Sequence, residues 1–287
     1  MNLEGKTALV TGASSGVGRA LAKRLAKDGV LLAISARRTE ALAELADEIV
    51  AAGATARPVV IAADLSKRGA ARRAGEAALS ALRRVDMLFN NAGISIGGAQ
   101  AIVGDEDMGR GVFETNYWSA LALTQLLVPP MVGRGIGAVI NVSSVVTVTP
   151  IPLTGHYASS KAALSLSSEV LRMELRGTGV HVLSVVLGAI KTAMLAEVDA
   201  MTGTTGLLAR VPLGDVDTLA GKIVRDLERG KGTLVYPGVL GFTRHLPTLA
   251  MRASSRMMRR VHVRSGHMMQ GGSQGDPLVL KARADNQ

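Results

Sequence analysis

The chain contains no cysteine. That excludes disulfides, and with them zinc or iron–sulfur sites built on thiolates. Histidine does not fill the gap. The five histidines are His156, His181, His245, His262 and His267, and no two have the i, i+4 spacing of paired ligands on one helix face. No metal site is therefore expected. Aromatic residues make up only 2% of the 287, which leaves few platforms for stacking nucleic-acid bases. A membrane-length apolar run is also missing. The most apolar long stretch, residues 118–132, is interrupted by Thr124, Gln125, Pro129 and Pro130. The opening Met1-Asn2-Leu3-Glu4-Gly5-Lys6 lacks the charged-then-apolar layout of a secretory signal. A cytoplasmic protein is the expectation, so Asn141-Val142-Ser143 is read as a chance match to a glycosylation acceptor.

What is present is a globular composition, 47% hydrophobic with 33 glycines. Short apolar runs at 6–11, 30–35, 58–62, 86–90, 137–142, 181–187 and 232–236 read as strands. Between them, helical spacing is found at 19–28, 39–52, 67–84, 107–131, 157–177 and 217–229. The strands are continuous apolar runs rather than alternating ones, as expected for strands covered on both faces. Right-handed crossovers then give an α/β fold, a single doubly wound, mostly parallel sheet of about seven strands. No internal repeat or linker precedes about Pro237. Residues 1–240 are expected to form one nucleotide-binding catalytic domain, and 241–287 a basic C-terminal helical extension that is partly disordered.

The first strand leads into Thr11-Gly12-Ala13-Ser14-Ser15-Gly16-Val17-Gly18, a glycine-rich turn that opens a helix. Glycines there let backbone N–H groups approach a pyrophosphate at the positive end of the helix. The second strand ends at Ser35-Ala36-Arg37-Arg38. An NAD site would place an acid here for the ribose 2′-OH, whereas two guanidinium groups suit a 2′-phosphate. NADP(H) is thus preferred over NAD(H). The alternative is that Arg37 and Arg38 are solvated loop residues. Further along, Tyr157 and Lys161 lie at i and i+4 on a helix, with Ser144 thirteen residues before the tyrosine. A phenol with a pKa of about 10 gives up its proton poorly at neutral pH. A neighbouring ammonium would lower that value, making the hydroxyl a general acid or base for a carbonyl/alcohol pair. Alone, the spacing fits equally a half-buried tyrosine beside a solvated lysine.

Together these motifs resemble the short-chain dehydrogenase/reductase family over roughly residues 5–238. The match comprises Thr11-Gly12 to Gly18; Asp64-Leu65 after the third strand; Asn90-Asn91-Ala92-Gly93 after the fourth; Asn116; Ser144; Tyr157 with Lys161; and Gly188 to Thr192 after the sixth. The resemblance implies a Rossmann fold and a catalytic set of Asn116, Ser144, Tyr157 and Lys161. Tyr157 would exchange the proton with the substrate oxygen, and Ser144, rather than its neighbour Ser143, would hydrogen-bond that oxygen. Lys161 would bind the nicotinamide ribose and lower the tyrosine pKa. Asn116 would hold a water beside Lys161. The cofactor would be held by Gly12, Ser14, Ser15, Gly16, Val17, Gly18, Arg37, Arg38, Asp64, Leu65, Asn90, Ala92, Gly93, Tyr157, Lys161, Ile190 and Thr192. In this set Asp64 would meet the adenine amino group, Leu65 would lie beside the ring, and Ile190 and Thr192 would contact the nicotinamide amide. The family commonly has Pro-Gly where this chain has Leu187-Gly188, which puts the local turn in question. The resemblance also implies a homodimer or homotetramer built on the long helices that end near Met131 and Gly177.

Substrate identity is thinly encoded. The segment 193–211, where the family carries a substrate lid, contains Met194, Leu195, Val198, Met201, Leu207 and Leu208. This fits a lipophilic carbonyl substrate such as a steroid, a fatty-acyl chain or another lipid ketone, or simply a lid packed on the body. The net charge is +10, and between Gly241 and Gly266 six arginines occur with no acid. A helix over 247–263 would place Arg252, Arg256, Arg259 and Arg260 on one side and Leu249, Ala253, Met257 and Val261 on another. Three uses are open: packing on the protein or a second subunit, contact with an anionic membrane surface, and nucleic acid, the least supported. Two functions are weighed. One is a reductase of lipophilic carbonyls; the other is a catalytically silent nucleotide-sensing or membrane-surface binding protein.

Overall fold

The computed structural model describes residues 2–192, 195–196 and 213–258. The chain begins with β1 (Thr7–Thr11), α1 (Gly16–Lys27), β2 (Leu31–Ala36), α2 (Thr39–Ala51), β3 (Val59–Ala62), α3 (Ala70–Leu82) and β4 (Met87–Asn90). Two short helices follow, α4 (Gln100–Val103) and α5 (Asp107–Phe113). A π-helical turn (Glu114–Trp118) leads into α6 (Ser119–Gly133). After β5 (Gly137–Ser144) come α7 (Gly155–Glu174), β6 (Val180–Leu187), α8 (Val216–Glu228) and β7 (Thr233–Tyr236). The described chain ends in α9 (Phe242–His245) and α10 (Pro247–Met258).

All seven strands form one sheet, in the order β3-β2-β1-β4-β5-β6-β7, and every neighbouring pair is parallel. Both faces are covered, which is why the strands carry apolar residues on both sides. On one face Leu21 and Leu25 of α1, Leu42 and Leu45 of α2, and Leu219 and Ile223 of α8 share a core. On the other, Ala74 and Ala78 of α3 pack with Leu123, Leu127 and Met131 of α6. These residues recur at i, i+3 or i, i+4, the spacings that place them on one side of a helix. The Rossmann-type α/β architecture is as the sequence implied. No described helix is long and apolar enough to cross a membrane.

Strand order runs outward in opposite directions from the β1–β4 boundary. Crossovers from these two strands leave on opposite faces, so a crevice opens beyond their carboxyl ends. Gly12, Asn90 and Ser144 all lie at or just past the carboxyl ends of their strands.

Three elements depart from the sequence expectation. Residues 107–131 do not form one regular helix, because the π turn interrupts the run and α6 continues to Gly133 through Pro129 and Pro130. Helix α3 starts at Ala70 rather than at Lys67. Asp64 Oδ1 accepts from the Ser66 N–H (3.1 Å) and hydroxyl (2.8 Å), so residues 64–67 are committed to a turn. Gly69 then adopts a left-handed φ of 80° just before the helix. Finally, α10 buries Ala250, Ser254 and Met258, whereas Leu249, Ala253 and Met257 face outward. The apolar side predicted from the sequence is therefore not the packed side. Val261 and the arginines from Arg259 onward lie outside the described residues.

Candidate active site

The glycine turn is shaped by what presses against it. A Cβ on Gly12 would stand 2.8 Å from the Ala92 Cα, and one on Gly18 would overlap the Gly12 carbonyl and the Asn91 amide. The turn is locked to the end of β4 by two side chains. Thr11 Oγ1 donates to the Phe89 carbonyl (3.1 Å) and accepts from the N–H groups of Asn91 and Ala92 (3.1 Å each). Asn91 Nδ2 donates to the carbonyls of Thr11 (2.9 Å) and Gly12 (3.3 Å). With those carbonyls held below, the N-terminus of α1 opens toward the crevice, where its N–H groups suit a phosphate. Sequence reading gave Thr11 and Asn91 no role of their own, although both stood inside the quoted motifs.

The other expected cofactor residues gather around this turn. Arg38 Nη2 donates to Ser14 Oγ at 3.3 Å. Hydrogen bonds from Ser66 hold the Asp64 carboxyl below the usual range, with the charge of Arg37 adding to the effect. Arg37, Arg38, Ser14 and Asp64 thus share one corner. Val17 and Leu65 are buried in the core, so Val17 offers only its backbone to a ligand and Leu65 little more. Thr192 Cγ2 would lie 3.3 Å from a Cβ on Gly16, which places the end of the 188–192 segment over the glycine turn. Ile190 is bridged to Gly214.

The turn at Leu187-Gly188 is well held. Leu187 pairs with Tyr236 and Ser144 in the sheet, and the Gly188 N–H donates to the Tyr236 carbonyl at 2.7 Å. A side chain at 188 would collide with Leu240. The glycine is therefore the residue this turn needs, and the absent proline costs the turn no anchoring.

Ser144, Tyr157 and Lys161 meet at the carboxyl end of β5. Successive residues of a strand point to opposite faces, and this separates the two serines. Ser143 Oγ turns into α7, donating to the Lys161 carbonyl (3.1 Å) and sharing a 2.5 Å contact with Ser165 Oγ. Ser144 Oγ donates to the Leu187 carbonyl and accepts from the Val146 N–H, both at 3.3 Å, and is near enough to the Tyr157 phenol to pull its proton affinity down. Lys161 is almost fully enclosed, and its Nζ donates to the Val142 carbonyl at 2.8 Å. Burial pulls its pKa down to about 8. Burial also pushes the Tyr157 phenol above its ordinary value, and the Ser144 contact works in the opposite direction. The sequence argument had the ammonium lowering the tyrosine pKa. In the protein alone desolvation prevails, because the lysine is itself desolvated and spends a donor on Val142.

Asn116 sits in the π turn, whose extra residue per turn re-aims side chains. Its Oδ1 accepts from the Ile94 N–H (2.8 Å), and its Nδ2 donates to the Ile94 carbonyl (2.9 Å) and to Ser160 Oγ (2.9 Å). Ser160 donates in turn to the Tyr157 carbonyl (2.8 Å). The amide is therefore engaged with Ile94 and α7, with its Oδ1 on the same side of Gly93 as the Lys161 ammonium. A Cβ on Gly93 would stand 3.2 Å from Lys161 Nζ and 3.5 Å from Asn116 Oδ1, so only glycine leaves the space between them open. Asn90 is joined through its Nδ2 to Asn141 Oδ1 (2.8 Å), and Asn141 Nδ2 to Ser168 Oγ (2.9 Å). This buried chain ties β4 and β5 to α7. Asn141, Ser160 and Ser168 carried no sequence signal, since their partners are fixed only by the tertiary fold. The expected lid, 193–211, falls outside the described residues except for Leu195 and Ala196.

The glycine cradle and the arginine corner fit a phosphorylated dinucleotide. Comparison with known proteins agrees with that fit. A family model described as short chain dehydrogenase matches residues 6–203. A short chain dehydrogenase of Pseudocercospora fijiensis is 42% identical over 200 residues, covering 69% of this chain and 64% of that protein. The chain therefore spans less than two thirds of that relative. The ketoacyl reductase HetN of Nostoc sp. is 34% identical over 196 residues, covering 68% of this chain and 67% of its own. Among solved structures, a short-chain dehydrogenase from Streptomyces avermitilis superposes with a TM-score of 0.73 at 32% identity, covering 89% of this chain and 97% of that one. A putative NAD(P) dependent gluconate 5-dehydrogenase from Beutenbergia cavernae, with bound NADP, superposes with a TM-score of 0.72 at 30% identity, covering 82% and 96%. The chain belongs to the short-chain dehydrogenase family of oxidoreductases.

Proposed function

We propose that this chain is an NADP-dependent reductase that interconverts a ketone or aldehyde with an alcohol, acting on a lipophilic carbonyl compound. The observation that carries the reading is the convergence of Ser144, Tyr157 and Lys161 at the carboxyl end of β5, beside a glycine turn fit for a dinucleotide. When bound, the nicotinamide supplies or accepts the hydride. The raised pKa keeps Tyr157 protonated at neutral pH, the state needed to donate a proton to a carbonyl oxygen. Ser144 shares that oxygen as a second hydrogen-bonding partner. The cationic form of Lys161 holds the ribose hydroxyls and, once they replace Val142 as its partners, steadies the phenolate left by proton donation. Asn116 and Ser160 position Tyr157 by pinning the first turns of α7 to Ile94.

NADP over NAD is supported by Arg37 and Arg38, two guanidinium groups in the corner shared with Ser14 and the Asp64 carboxylate, which suit a 2′-phosphate. The lipophilic substrate is supported by the Met- and Leu-rich segment 193–211 and by a relative named as a ketoacyl reductase. The test titrates NADPH and NADH against a panel of carbonyl compounds graded by chain length, using wild type and Tyr157→Phe. Turnover should favour NADPH and longer chains. The variant should lose about 10²–10⁴-fold in turnover while NADPH still quenches or shifts its fluorescence. Near wild-type turnover in Tyr157→Phe would remove the mechanism. Tight NADPH binding without turnover on any carbonyl would instead favour a nucleotide-sensing protein.

A further inference from the structure

We propose that the segment from Val239 through α9 and α10 is a docking surface for an anionic lipid bilayer. Helix α10 lies on the body through one narrow face. Ala250, Ser254 and Met258 are buried, and Ser254 Oγ donates to the Pro150 carbonyl at 3.1 Å. The remaining circumference is turned outward. Val239, Phe242, Leu246 and Leu249 are each more than half exposed, and Met257 is 43% exposed. Large apolar side chains scattered singly need no explanation, but here, counting Met251, six exposed ones fall within the nineteen residues 239–257.

The charge pattern selects the occupant. From Arg229 to Gly275 the sequence has no aspartate or glutamate and eight lysines or arginines. Arg252 and Arg256 are exposed on α10 and form no ion pair among the described residues. Among the described residues Arg244 pairs only with Glu169, at 3.8 Å. At 100° per residue, Arg252 and Arg256 border the outward stripe of Leu249, Ala253 and Met257 on one side. Guanidinium groups flanking an exposed apolar stripe suit the interface of a bilayer, where apolar side chains enter the acyl boundary and arginines meet lipid phosphates. A second copy of the chain fits poorly, since a two-fold contact here would bring the same arginines together on a chain of net charge +10. Nucleic acid would leave the aliphatic side chains without partners.

The test uses full-length protein and vesicle flotation, with vesicles of phosphatidylcholine alone or phosphatidylcholine containing phosphatidylserine. Binding should require phosphatidylserine and weaken as salt is added. Removing each arginine should weaken it about fivefold, so Arg252→Ser/Arg256→Ser and, separately, Leu249→Ser/Met257→Ser should both float poorly. Their thermal midpoints and NADPH binding should match wild type, which excludes misfolding as the cause. Absence of flotation at any phosphatidylserine content overturns the proposal, as does flotation unchanged in both variants. So does a fall in oligomer mass in the Leu249→Ser/Met257→Ser variant without vesicle binding, which would assign the surface to a second copy. Flotation needs no turnover, so its outcome stands apart from that of the carbonyl panel.

Discussion

Burial sets the proton affinities of the two ionisable groups at the start of α7, and it acts on them in opposite directions. Desolvation raises the Tyr157 phenol and lowers the Lys161 ammonium to about 8 from 10.5. Below pH 8 the lysine is charged in both the folded and the unfolded chain, and the fold bears the full cost of enclosing it. Between about 8 and 10.5 the enclosed lysine is already neutral while the unfolded one still binds a proton, so its contribution to stability improves as pH rises through that window. Lys161→Met is neutral throughout. It should melt above wild type at pH 7 and lose that advantage as the pH approaches 10; a constant difference across the series would contradict the buried, depressed lysine. The residue types were legible in the sequence, because Tyr157, Lys161 and Ser144 stand at a fixed spacing. The direction of the tyrosine shift was not, since it depends on how much of the body closes over the helix. Nor did the spacing alone separate Ser143 from Ser144 in chemical terms; the strand's two faces do that.

At the scale of elements, continuous apolar runs marked the strands, and glycine stops such as Gly29 marked where helices end. The π turn at Glu114–Trp118 was not legible. Nothing local in Glu-Thr-Asn-Tyr-Trp demands it. The turn persists because Asn116 gains Ile94 and Ser160 as partners only once β4 and α7 are in place. Which face of α10 packs was left open for a related reason. Periodicity located the bulkier apolar stripe, but the body offers a shallow seat that takes Ala250 and Ser254. The opposite end of the sheet makes a sharper prediction. Asp86 is buried just before β4, where it accepts from the Thr7 N–H (3.1 Å), the Thr7 hydroxyl (3.2 Å) and Arg84 Nε (3.2 Å), with Arg134 at 3.6 Å. Thr7 Oγ1 in turn accepts from the Asp86 N–H (3.1 Å), so the pair clamps β1 to the start of β4. Asp86→Ala leaves the Thr7 donors buried and unpaired, which costs about 1–3 kcal/mol for such a group. The urea midpoint should fall accordingly. Because the clamp lies at the amino ends of the strands, NADPH affinity of the folded fraction should not change. A variant as stable as wild type would show the clamp to be redundant.

For the molecule as a whole, the order β3-β2-β1-β4-β5-β6-β7 places the crevice and the proposed catalytic residues at the carboxyl ends of the strands. The flanks of the helices remain available for other uses. Helix α7 shows how the two are divided. Its inner side carries Ser160, Lys161, Leu164 and Ser168 into the protein, while Leu166, Val170 and Met173 are exposed on the outside at 69%, 40% and 60%. Those three recur at i, i+4 and i+7, so they form one stripe. Trp118, beside α6, is 53% exposed and stacks edge-on with Tyr117, whose hydroxyl accepts from Ser167 on α7 at 3.3 Å. Trp118 and the exposed stripe of α7 are thus adjacent. A contiguous apolar stripe on two long helices is suited to a self-complementary two-fold contact, in which each helix meets its own copy. The expected assembly is a homodimer or a tetramer that contains this dimer. Leu166→Glu/Met173→Glu would set four like charges against one another across such an axis, and sedimentation should give the monomer mass. The variant should still bind vesicles, because Leu249, Arg252, Arg256 and Met257 are unchanged, though with the weaker avidity of a single docking segment. An unchanged mass would place the subunit contact elsewhere. Loss of the assembly together with all vesicle binding would mean that one surface serves both roles.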